Sequence, residues 1–457
     1  MEELMSQQPS SRSSLLLLLR RLHFYIGLFI APFIFIAALT GTLYVVTPQL
    51  ENALYHRQLF TSSTGIDQPL SAQVARASEF IGSNMKIAAV RPAPHQGDTT
   101  RVMFFREDLG PSETRAVFID PKTLEVRGEL TAYGTSGILP FRTWLDYLHR
   151  NLLLGDVGRH YSELAASWLW VAALGGALLW ASSRRVRRTA SDEQRLGRFR
   201  HWHTTLGLLL LLGLLFFSAT GLTWSRWAGD NISLMRSHFG WMTPGVNTSL
   251  QPAPAMVMDE HAEHHGHSSM MHDGAAVTLN PLEFDSVLRA ARGAGIDAAK
   301  LEMRPSYRAD KAWTVSETDR SWPTQVDSVA VNPRNNTIVD KVEFAQYGLL
   351  AKLTRWGVDA HMGVLFGVAN QLVLALFGLG LCLMIAIGYR MWWLRRPQRG
   401  RISPLDTLLG CWQQLAPGSR LLLLILTVLV AVSLPLMGVS LLVLLVIDRW
   451  RWQRSIK

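Results

Sequence analysis

The chain has little charge, almost no cysteine and none of the common hydrolase or nucleotide motifs. Charged residues make up 18% of its 457 residues, and only Cys382 and Cys411 are cysteines. CxxCH, which attaches haem covalently, and CxxC, typical of zinc and iron–sulfur sites, are both absent. The sequence also lacks HExxH, GxSxG and a GxGxxG that opens a helix after a strand. These absences argue against a membrane hydrolase, a covalent cytochrome and an enzyme with its own nicotinamide site.

Hydrophobic residues are abundant instead, at 48%, and they are clustered along the chain. A helix needs ~20 apolar residues to cross a ~30 Å hydrocarbon core. Five runs are nearly free of charge, and the first four of them are about this length: 24–46, 164–181, 206–223, 364–387 and 421–447. The sequence therefore predicts a multi-pass integral membrane protein. The first run is interpreted as an uncleaved anchor, because no convincing cleavage site follows it.

The basic residues predict the orientation, because Lys and Arg are enriched on the cytoplasmic side of a membrane. Arginines precede the first run, follow the fourth, and cluster between the second and third at 184–188. The predicted cytoplasmic parts are 1–21, 183–200, 394–419 and 449–457, the membrane segments are 22–48, 161–182, 201–227 and 361–393, and the outer stretches are 49–160 and 228–360. In a bacterial inner membrane the outer stretches are periplasmic. Topology thus accounts for the net charge of +10 without a nucleic-acid partner.

The last apolar run, within 420–448, has Pro435 near its middle. Proline removes a helical hydrogen bond and breaks or kinks a helix. One long helix would carry the basic tail to the outer side, whereas a hairpin returns it to the cytoplasm. The charge pattern favours the hairpin and hence six membrane segments.

The sequence contains an internal duplication. The first and third membrane segments share His-x3-Gly followed by Thr-Gly, and the second and fourth share Trp-x4-His-x5-Gly. Within each pair of segments the matched positions keep one constant spacing. The first and third segments match His23, Gly27, Thr40 and Gly41 with His203, Gly207, Thr220 and Gly221. The second and fourth match Trp144, His149 and Gly155 with Trp356, His361 and Gly367. The spacing from His149 to His361 also relates the strand-and-turn sequences ending at Asp120-Pro121 and Asn332-Pro333. The repeated unit is a helix, an outer α+β segment and a second helix.

Four histidines of the duplication form two pairs, His23 with His203 near the cytoplasmic face and His149 with His361 near the outer face. A histidine at a helix end can extend towards lipid headgroups, but ionisable groups near membrane segments usually face the bundle interior. Two facing imidazoles can bind the iron of a haem b between helices. The four histidines are therefore candidate axial ligands of two haems.

The evidence for a role at a haem is weaker for other residues near these histidines. Gly27 and Gly207 would let a macrocycle approach closely, or they simply pack helices. His201 is two positions from His203, about 200° around a helix, so both cannot face one site, and the repeat favours His203. His160 follows His149, but Gly155 interrupts a helix between them. His201 and His160 are kept as reserve candidates.

With these motifs the sequence resembles the PepSY-associated transmembrane family, also called the PiuB-type iron-regulated membrane proteins. The resemblance covers about 15–396. It rests on the two His-x3-Gly and Thr-Gly motifs, on Leu148-His149-Arg150 with Gly155 and Gly158, and on the turn at 120–123. The sequence departs from the family at Gly175-Gly176, which stands in place of Thr-Gly.

The resemblance implies a mostly α integral membrane protein with a four-helix bundle core. That core would come from a duplicated helix–PepSY-like α+β domain–helix unit, followed by the C-terminal apolar hairpin. Members of the family include di-haem ferric-siderophore reductases of the inner membrane. The resemblance therefore implies that His23, His149, His203 and His361 bind two b-type haems. Electrons from a cytoplasmic or quinol donor would reduce a periplasmic ferric siderophore or similar metal chelate.

The outer stretch of the second repeat holds a segment rich in histidine and methionine, at 256–272. Such donors suit copper or iron, so loose metal capture is one interpretation and a flexible polar insertion is the other. The histidines concerned are His261, His264, His265, His267 and His272.

Two other functions compete with electron transfer. The first is a non-redox accessory for metal binding or transport, with this segment as a copper or iron receptor. The second is a regulator in which PepSY-like domains bind and restrain a periplasmic partner.

Overall fold

The computed structural model describes residues 11–82, 84–183, 194–250, 257–258, 278–395 and 404–455. The chain divides into two compact units. The helical unit comprises Met1–Leu43, Tyr147–Met235 and Leu372–Lys457, and the sheet unit comprises Tyr44–Asp146 and Arg236–Gln371. The chain is therefore a mostly helical membrane protein with a separate antiparallel sheet.

The helices of the described residues are named in chain order. They are α1 (Ser11–Tyr25), α2 (Ala31–Val45), α3 (Thr47–Leu54), α4 (His56–Leu59), α5 (Leu70–Ile81), α6 (Pro140–Asn151), α7 (Gly155–Ser183), α8 (Gln194–Leu209), α9 (Leu211–Thr223), α10 (Trp227–His238), α11 (Leu282–Gly293), α12 (Leu349–His361), α13 (Gly367–Arg395), α14 (Leu408–Gln413), α15 (Pro417–Ser433) and α16 (Pro435–Ser455).

Three helices among the described residues are long and apolar enough to cross a membrane. The first is Ser14–Val45, in which α1 and α2 are joined by a π-helical turn at Ile26–Ile30. The second and third are α7 and α13. The helices α8 and α9 make a fourth span if they are taken as one, with a bend of 58° between them. These four segments correspond to the four apolar segments of the duplication.

Both spans that carry a His-x3-Gly motif depart from regular α-helix shortly after the histidine. The π-helical turn Ile26–Ile30 follows His23, and the break between α8 and α9 falls at Leu210. Leu210 follows His203 at the same interval at which Ile30 follows His23, so the two irregularities occupy equivalent places. Such turns are a recognised cause of helix bending and occur often near functional sites. The duplication thus extends to the local geometry of the helices.

The core of the helical unit draws buried residues from five helical segments. Its members are Ile26, Ile30, Ala31 and Ile34 of the first span, Ala165, Trp168, Leu169 and Ala173 of α7, Leu210 and Leu214 of the third, Leu381 and Ile385 of α13, and Met437 and Leu444 of α16. The C-terminal α16 therefore shares the core with the four spans of the duplication, and the core is not made by four helices alone.

The chain reverses direction between α15 and α16. A Cβ placed on Gly438 would lie 2.8 Å from Cβ of Ala431. In a straight helix, positions seven apart are separated by about 10 Å along the axis. At this turn, Asn231 of α10 donates to the carbonyls of Val432 and Ser433. The two helices of the last apolar run therefore lie side by side.

The far end of α16 is fixed by a buried carboxylate. Asp448 is fully buried and accepts hydrogen bonds from the Tyr25 hydroxyl (2.5 Å) and from the amides of Leu408 and Leu409 (2.8 Å each). A buried carboxylate must be compensated in this way, because desolvation of an unpaired charge is costly. Asp448 thereby joins α16 and α14 to α1.

The sheet unit contains one antiparallel sheet of eight strands. Its strands are β1 (Ile87–Arg91), β2 (Thr100–Phe104), β3 (Glu113–Ile119), β4 (Val126–Tyr133), β7 (Leu301–Arg304), β8 (Trp313–Glu317), β9 (Ser328–Val331) and β10 (Ile338–Val342). A separate pair consists of β5 (Thr243–Pro244) and β6 (Val257–Met258). The order in the large sheet is β10-β9-β8-β7-β1-β2-β3-β4. Each half of the duplication therefore contributes four consecutive strands.

Each half also contributes one helix to the same face of the sheet. The helices are α5 and α11, whose limits are related by the spacing from His149 to His361. Val74 and Ala77 of α5 and Phe284 and Val287 of α11 pack in one core with residues of both sets of strands. The sequence predicted two outer domains at 49–160 and 228–360. The structure joins the two halves in one sheet over one core, because pairing β1 with β7 covers an edge that each half alone would expose.

The strands β1 and β7 meet through a buried ion pair. Val90 is paired with Met303, and Glu302 accepts from Arg91 Nε (2.7 Å) and Arg304 Nε (2.6 Å). Glu302 is 5% exposed. Burial alone raises the pKa of its carboxyl, but the charges of Arg91 and Arg304 outweigh burial and lower the pKa to about 2. The junction therefore depends on an ionised carboxylate.

We predict that Glu302→Gln lowers the free energy of unfolding by about 3 kcal/mol at neutral pH, because two arginines lose their counter-charge. In the wild type this stabilisation is complete above the ordinary carboxyl pKa of 4.5 and is lost as the pH falls towards 2. The variant lacks that part of the pH dependence. Denaturant unfolding of the full-length protein in detergent, from neutral to about pH 3, measures both effects.

The matched control is Asp108→Asn, because Asp108 pairs with Arg106 on the surface. Exposed ion pairs contribute little to stability, so this variant should unfold like the wild type. An equal loss of stability in the two variants would contradict the assigned role of Glu302.

Candidate functional site

His23 lies on α1 and its ring faces α7. A Cβ placed on Gly176 would lie 3.1 Å from Cε1 of His23, so the ring rests against the backbone of α7. Its Nδ1 is buried and has no well-aligned hydrogen-bond partner, although the carbonyl of Ala172 interacts with the ring. A buried ring nitrogen without a good partner is unusual, because its desolvation is then uncompensated. Within the described residues it is the one fully buried nitrogen of the four predicted ligand rings that lacks a hydrogen-bond partner.

His203 lies on α8 and its ring faces α13. Its Nδ1 is 3.0 Å from the carbonyl oxygen of Met384, and a Cβ on Gly388 would lie 3.4 Å from its Cε1. A carbonyl oxygen only accepts, so Nδ1 carries the hydrogen and Nε2 keeps its lone pair in the neutral ring. His203 and His23 are also close enough to interact electrostatically. The structure therefore places the two histidines of this predicted pair within electrostatic range of each other.

His149, on α6, contacts the end of the first span. Its Nδ1 is 3.0 Å from Oγ1 of Thr40, and a Cβ on Gly41 would lie 3.2 Å from its Cε1. The Thr40 hydroxyl donates to the carbonyl of Ile36 (2.7 Å), so it accepts from Nδ1 and leaves Nε2 with a lone pair. Burial lowers the pKa of His149 to about 4, which keeps the ring neutral. The Thr40-Gly41 motif thus holds one predicted ligand.

His361 is the last residue of α12 and belongs to the sheet unit. The end of α12 is fixed by Asp359, which is fully buried and accepts from Arg320 Nε at 2.5 Å. Asn370 donates to the carbonyl of Ala360 at 3.0 Å. Because His149 belongs to the helical unit, the predicted pairing of His149 with His361 joins the two units and stays a prediction.

The two glycines that the sequence placed beside haem have different surroundings. Gly27 lies in the π-helical turn, and a Cβ there would meet no atom of the described residues within 4 Å. A Cβ on Gly207 would lie 3.5 Å from Sδ of Met384, an ordinary packing distance. Neither glycine contacts a predicted ligand histidine in this part of the chain, and their role beside a cofactor stays a prediction.

Sequence reasoning missed the glycines that do contact the histidines. Gly176 meets His23 and Gly388 meets His203, and these two glycines are related by the spacing of the second and fourth spans. In the sequence, Gly176 stands out only as part of the departure from Thr-Gly. A comparison of the two spans at this spacing would have found the pair.

The remaining histidines lie apart from this arrangement. His201 is exposed and has its ring beside Trp202, and the ring of His160 lies near the carbonyl of Val157 and the ring of Trp227. The histidines of the proposed metal-capture segment (His261, His264, His265, His267 and His272) lie outside the described residues. Among the residues that are described, no group of three or more His, Cys, Asp or Glu is placed to hold a metal ion.

Comparison with known proteins gives one family. A family model for the PepSY-associated TM region matches residues 20–395. The match begins before His23 and ends with α13, so α14, α15 and α16 lie beyond it. A search of curated proteins finds no match.

We predict that Thr40→Val lowers the free energy of unfolding by about 1 kcal/mol, because the Nδ1 hydrogen of His149 loses its acceptor. Thr42→Val is the matched control, since Thr42 likewise donates to the carbonyl four positions before it, that of Ala38. Denaturant unfolding of the full-length protein in detergent compares the two variants. If both variants lose the same free energy of unfolding, the Thr40 hydroxyl does not hold the His149 ring.

Proposed function

The chain belongs to the PepSY-associated TM region family, and we propose that it transfers electrons across a bacterial inner membrane through two b-type haems. His23 and His203 would hold one haem, and His149 and His361 the other. The final acceptor would be a ferric siderophore or a similar metal chelate in the periplasm. The protein would then act as a ferric reductase in iron uptake.

The observation that carries this proposal is the setting of the imidazole rings. Nδ1 of His203 and Nδ1 of His149 are each engaged by an oxygen atom, of Met384 and Thr40 respectively, and each Nε2 keeps its lone pair. Metal-bound histidines typically donate their other N–H in this manner, which fixes the ring and raises the basicity of the ligating nitrogen. Pure packing would not require the same nitrogen to be engaged in both rings.

The cytoplasmic pair adds a second argument. His23 and His203 come from different spans, interact electrostatically, and lie against glycines that leave room for their rings. Histidines in a membrane interior are costly and usually functional. A pair of neutral imidazoles on facing helices fits the donor set of a b-type haem. A haem held by His23 and His203 would supply one-electron chemistry between Fe(III) and Fe(II).

The residues around the rings have the complementary task of orienting the ligands and excluding water. The carbonyl of Met384 and the hydroxyl of Thr40 hold two of the rings, and the core that includes Trp168 and Leu381 keeps the interior apolar. The positive-inside rule places the His23 and His203 pair on the cytoplasmic side, where electrons enter. His149 and His361 then lie on the periplasmic side, where electrons leave.

The substrate step needs only one electron for each iron. A chelated Fe(III) ion accepts the electron and becomes Fe(II), which hard oxygen donors hold more weakly, so the metal is released. The donor is a cytoplasmic reductant or a membrane quinol, because the sequence has no nicotinamide-binding motif.

One sequence feature favours a second function. Residues 256–272 hold five histidines and four methionines, a composition that suits capture of copper or iron. A non-redox metal-binding accessory would need this segment and would not need haem. The two functions therefore differ in a property that can be measured directly.

We predict that purified protein has the absorption spectrum of a low-spin b-type cytochrome and that His203→Ala removes about half of the haem, since one of two sites is lost. His201→Ala is the matched control, because this neighbouring histidine is exposed and should leave the haem content unchanged. A colourless wild-type protein would contradict the proposal. Loss of haem in the control alone would mean that the wrong histidine has been assigned.

We also predict that the protein, in liposomes loaded with a reductant and an electron mediator, reduces external ferric chelate to Fe(II), detected by an Fe(II)-specific chelator. His361→Ala should abolish the rate, because the outer haem would lose a ligand. A variant with alanine at His261, His264, His265, His267 and His272 should keep the wild-type rate. Loss of metal binding by that variant, with no reduction by the wild type, would favour the accessory function instead.

A further inference from the structure

Three of the four predicted ligand histidines lie with the same ring edge against a glycine of another helix. A Cβ on the glycine would lie 3.1 Å from Cε1 of His23, 3.2 Å from Cε1 of His149 and 3.4 Å from Cε1 of His203. These separations are at or below the lower limit of ordinary Cβ contacts. Alanine at Gly41 or Gly176 would therefore require the ring to move by a few tenths of an ångström, and a Cβ on Gly388 would meet its ring at the edge of ordinary contact.

Two of these contacts occupy equivalent positions in the two repeats. His203 is the counterpart of His23 at the spacing of the first and third spans, and Gly388 is the counterpart of Gly176 at the spacing of the second and fourth. The first histidine-bearing span of each repeat thus faces the second span of the same repeat in the same manner. The ring atom nearest to a Cβ on Gly176 is Cε1 of His23, and the ring atom nearest to a Cβ on Gly388 is Cε1 of His203. Cε1 lies between the two ring nitrogens. The contact therefore sets the position of Nε2 directly.

Two glycines of the helical unit, Gly213 and Gly378, have a different environment. The nearest atoms to a Cβ on Gly213 belong to Phe377, and the nearest atom to a Cβ on Gly378 belongs to Thr42. These glycines allow helices to pack closely, as small residues in membrane helices commonly do. Contact with a buried imidazole distinguishes Gly176 and Gly388 from them.

We infer that Gly176 and Gly388 are positioning residues, each of which fixes the imidazole of a ligand histidine, His23 or His203, at the cytoplasmic haem. The inference rests on the proposed function for its consequence at the haem, but the contact itself is independent of any cofactor. A Cβ at Gly176 would crowd the His23 ring and a Cβ at Gly388 would meet the His203 ring, so both substitutions should alter the same haem and leave the other unchanged. Gly380→Ala is the control, because a Cβ there lies 3.6 Å from Leu210, an ordinary contact.

The first experiment measures the ligand field of the iron. Electron paramagnetic resonance of the oxidised full-length protein should resolve two low-spin haem signals. Gly176→Ala and Gly388→Ala should shift the g values and midpoint potential of one and the same haem, while Gly380→Ala leaves both haems unchanged. Unchanged signals in both variants, or a shift of different haems by the two substitutions, would overturn the inference.

The second experiment needs no cofactor. In full-length protein from haem-starved cells, Gly388→Ala should lower the melting temperature when His203 is present. In a His203→Ala background it should raise the melting temperature, because alanine is the better helix former and the ring is gone. The same reversal is expected for Gly176→Ala with and without His23. An equal effect of the glycine substitution in both backgrounds would overturn the inference.

The two experiments separate the inference from the function on which it rests. If the wild-type protein binds no haem, the proposed function fails. The thermal measurement then still decides whether the glycines hold the rings. If haem is present but the melting temperatures show no reversal, the function stands and the inference fails.

Discussion

A histidine ring buried between membrane helices needs both space and a hydrogen-bond partner, and the helical unit is organised around this requirement. Space comes from glycine, at Gly41, Gly176 and Gly388, where the absence of a Cβ lets the ring meet the backbone. Partners come from oxygen atoms of neighbouring helices, at Met384 and Thr40. The glycines meet the rings at Cε1, and the oxygen atoms engage Nδ1 of His203 and His149, which leaves Nε2 of these two rings available to a metal.

The duplication explains why the contact between a glycine and a histidine ring occurs twice, and why the strands of the two halves share one sheet. A two-fold relation brings identical edges together, so β1 of the first half pairs with its counterpart β7. The junction illustrates this relation. Val90 pairs with Met303, and Arg91 pairs with Glu302. Arg91 corresponds to Met303 and Val90 to Glu302 in the two repeats, so the duplication exchanges these two pairs. One repeat alone would expose a strand edge in the sheet unit, and pairing two repeats satisfies its backbone groups.

The C-terminal helices α14, α15 and α16 lie beyond the region that the family model matches. Even so, α16 contributes Met437 and Leu444 to the core of the helical unit. Trp168 of α7 donates to Ser440, and Tyr25 donates to Asp448. Tyr25 comes soon after His23 on the same helix, so an element outside the matched region fixes the helix that carries a predicted ligand.

The membrane class, the family and the repeated unit follow from the amino-acid sequence, which also predicts the pairing of His23 with His203. These follow from hydropathy and from spacing along the chain, which are local properties or comparisons of the chain with itself. Three other features are visible only in the folded chain: the two halves form one sheet, α16 joins the core, and Gly176 and Gly388, rather than Gly27 and Gly207, meet the rings. These features depend on which helix faces and strand edges meet. That is set by packing between segments far apart in the sequence, and the number of residues between two such segments does not give their distance in space.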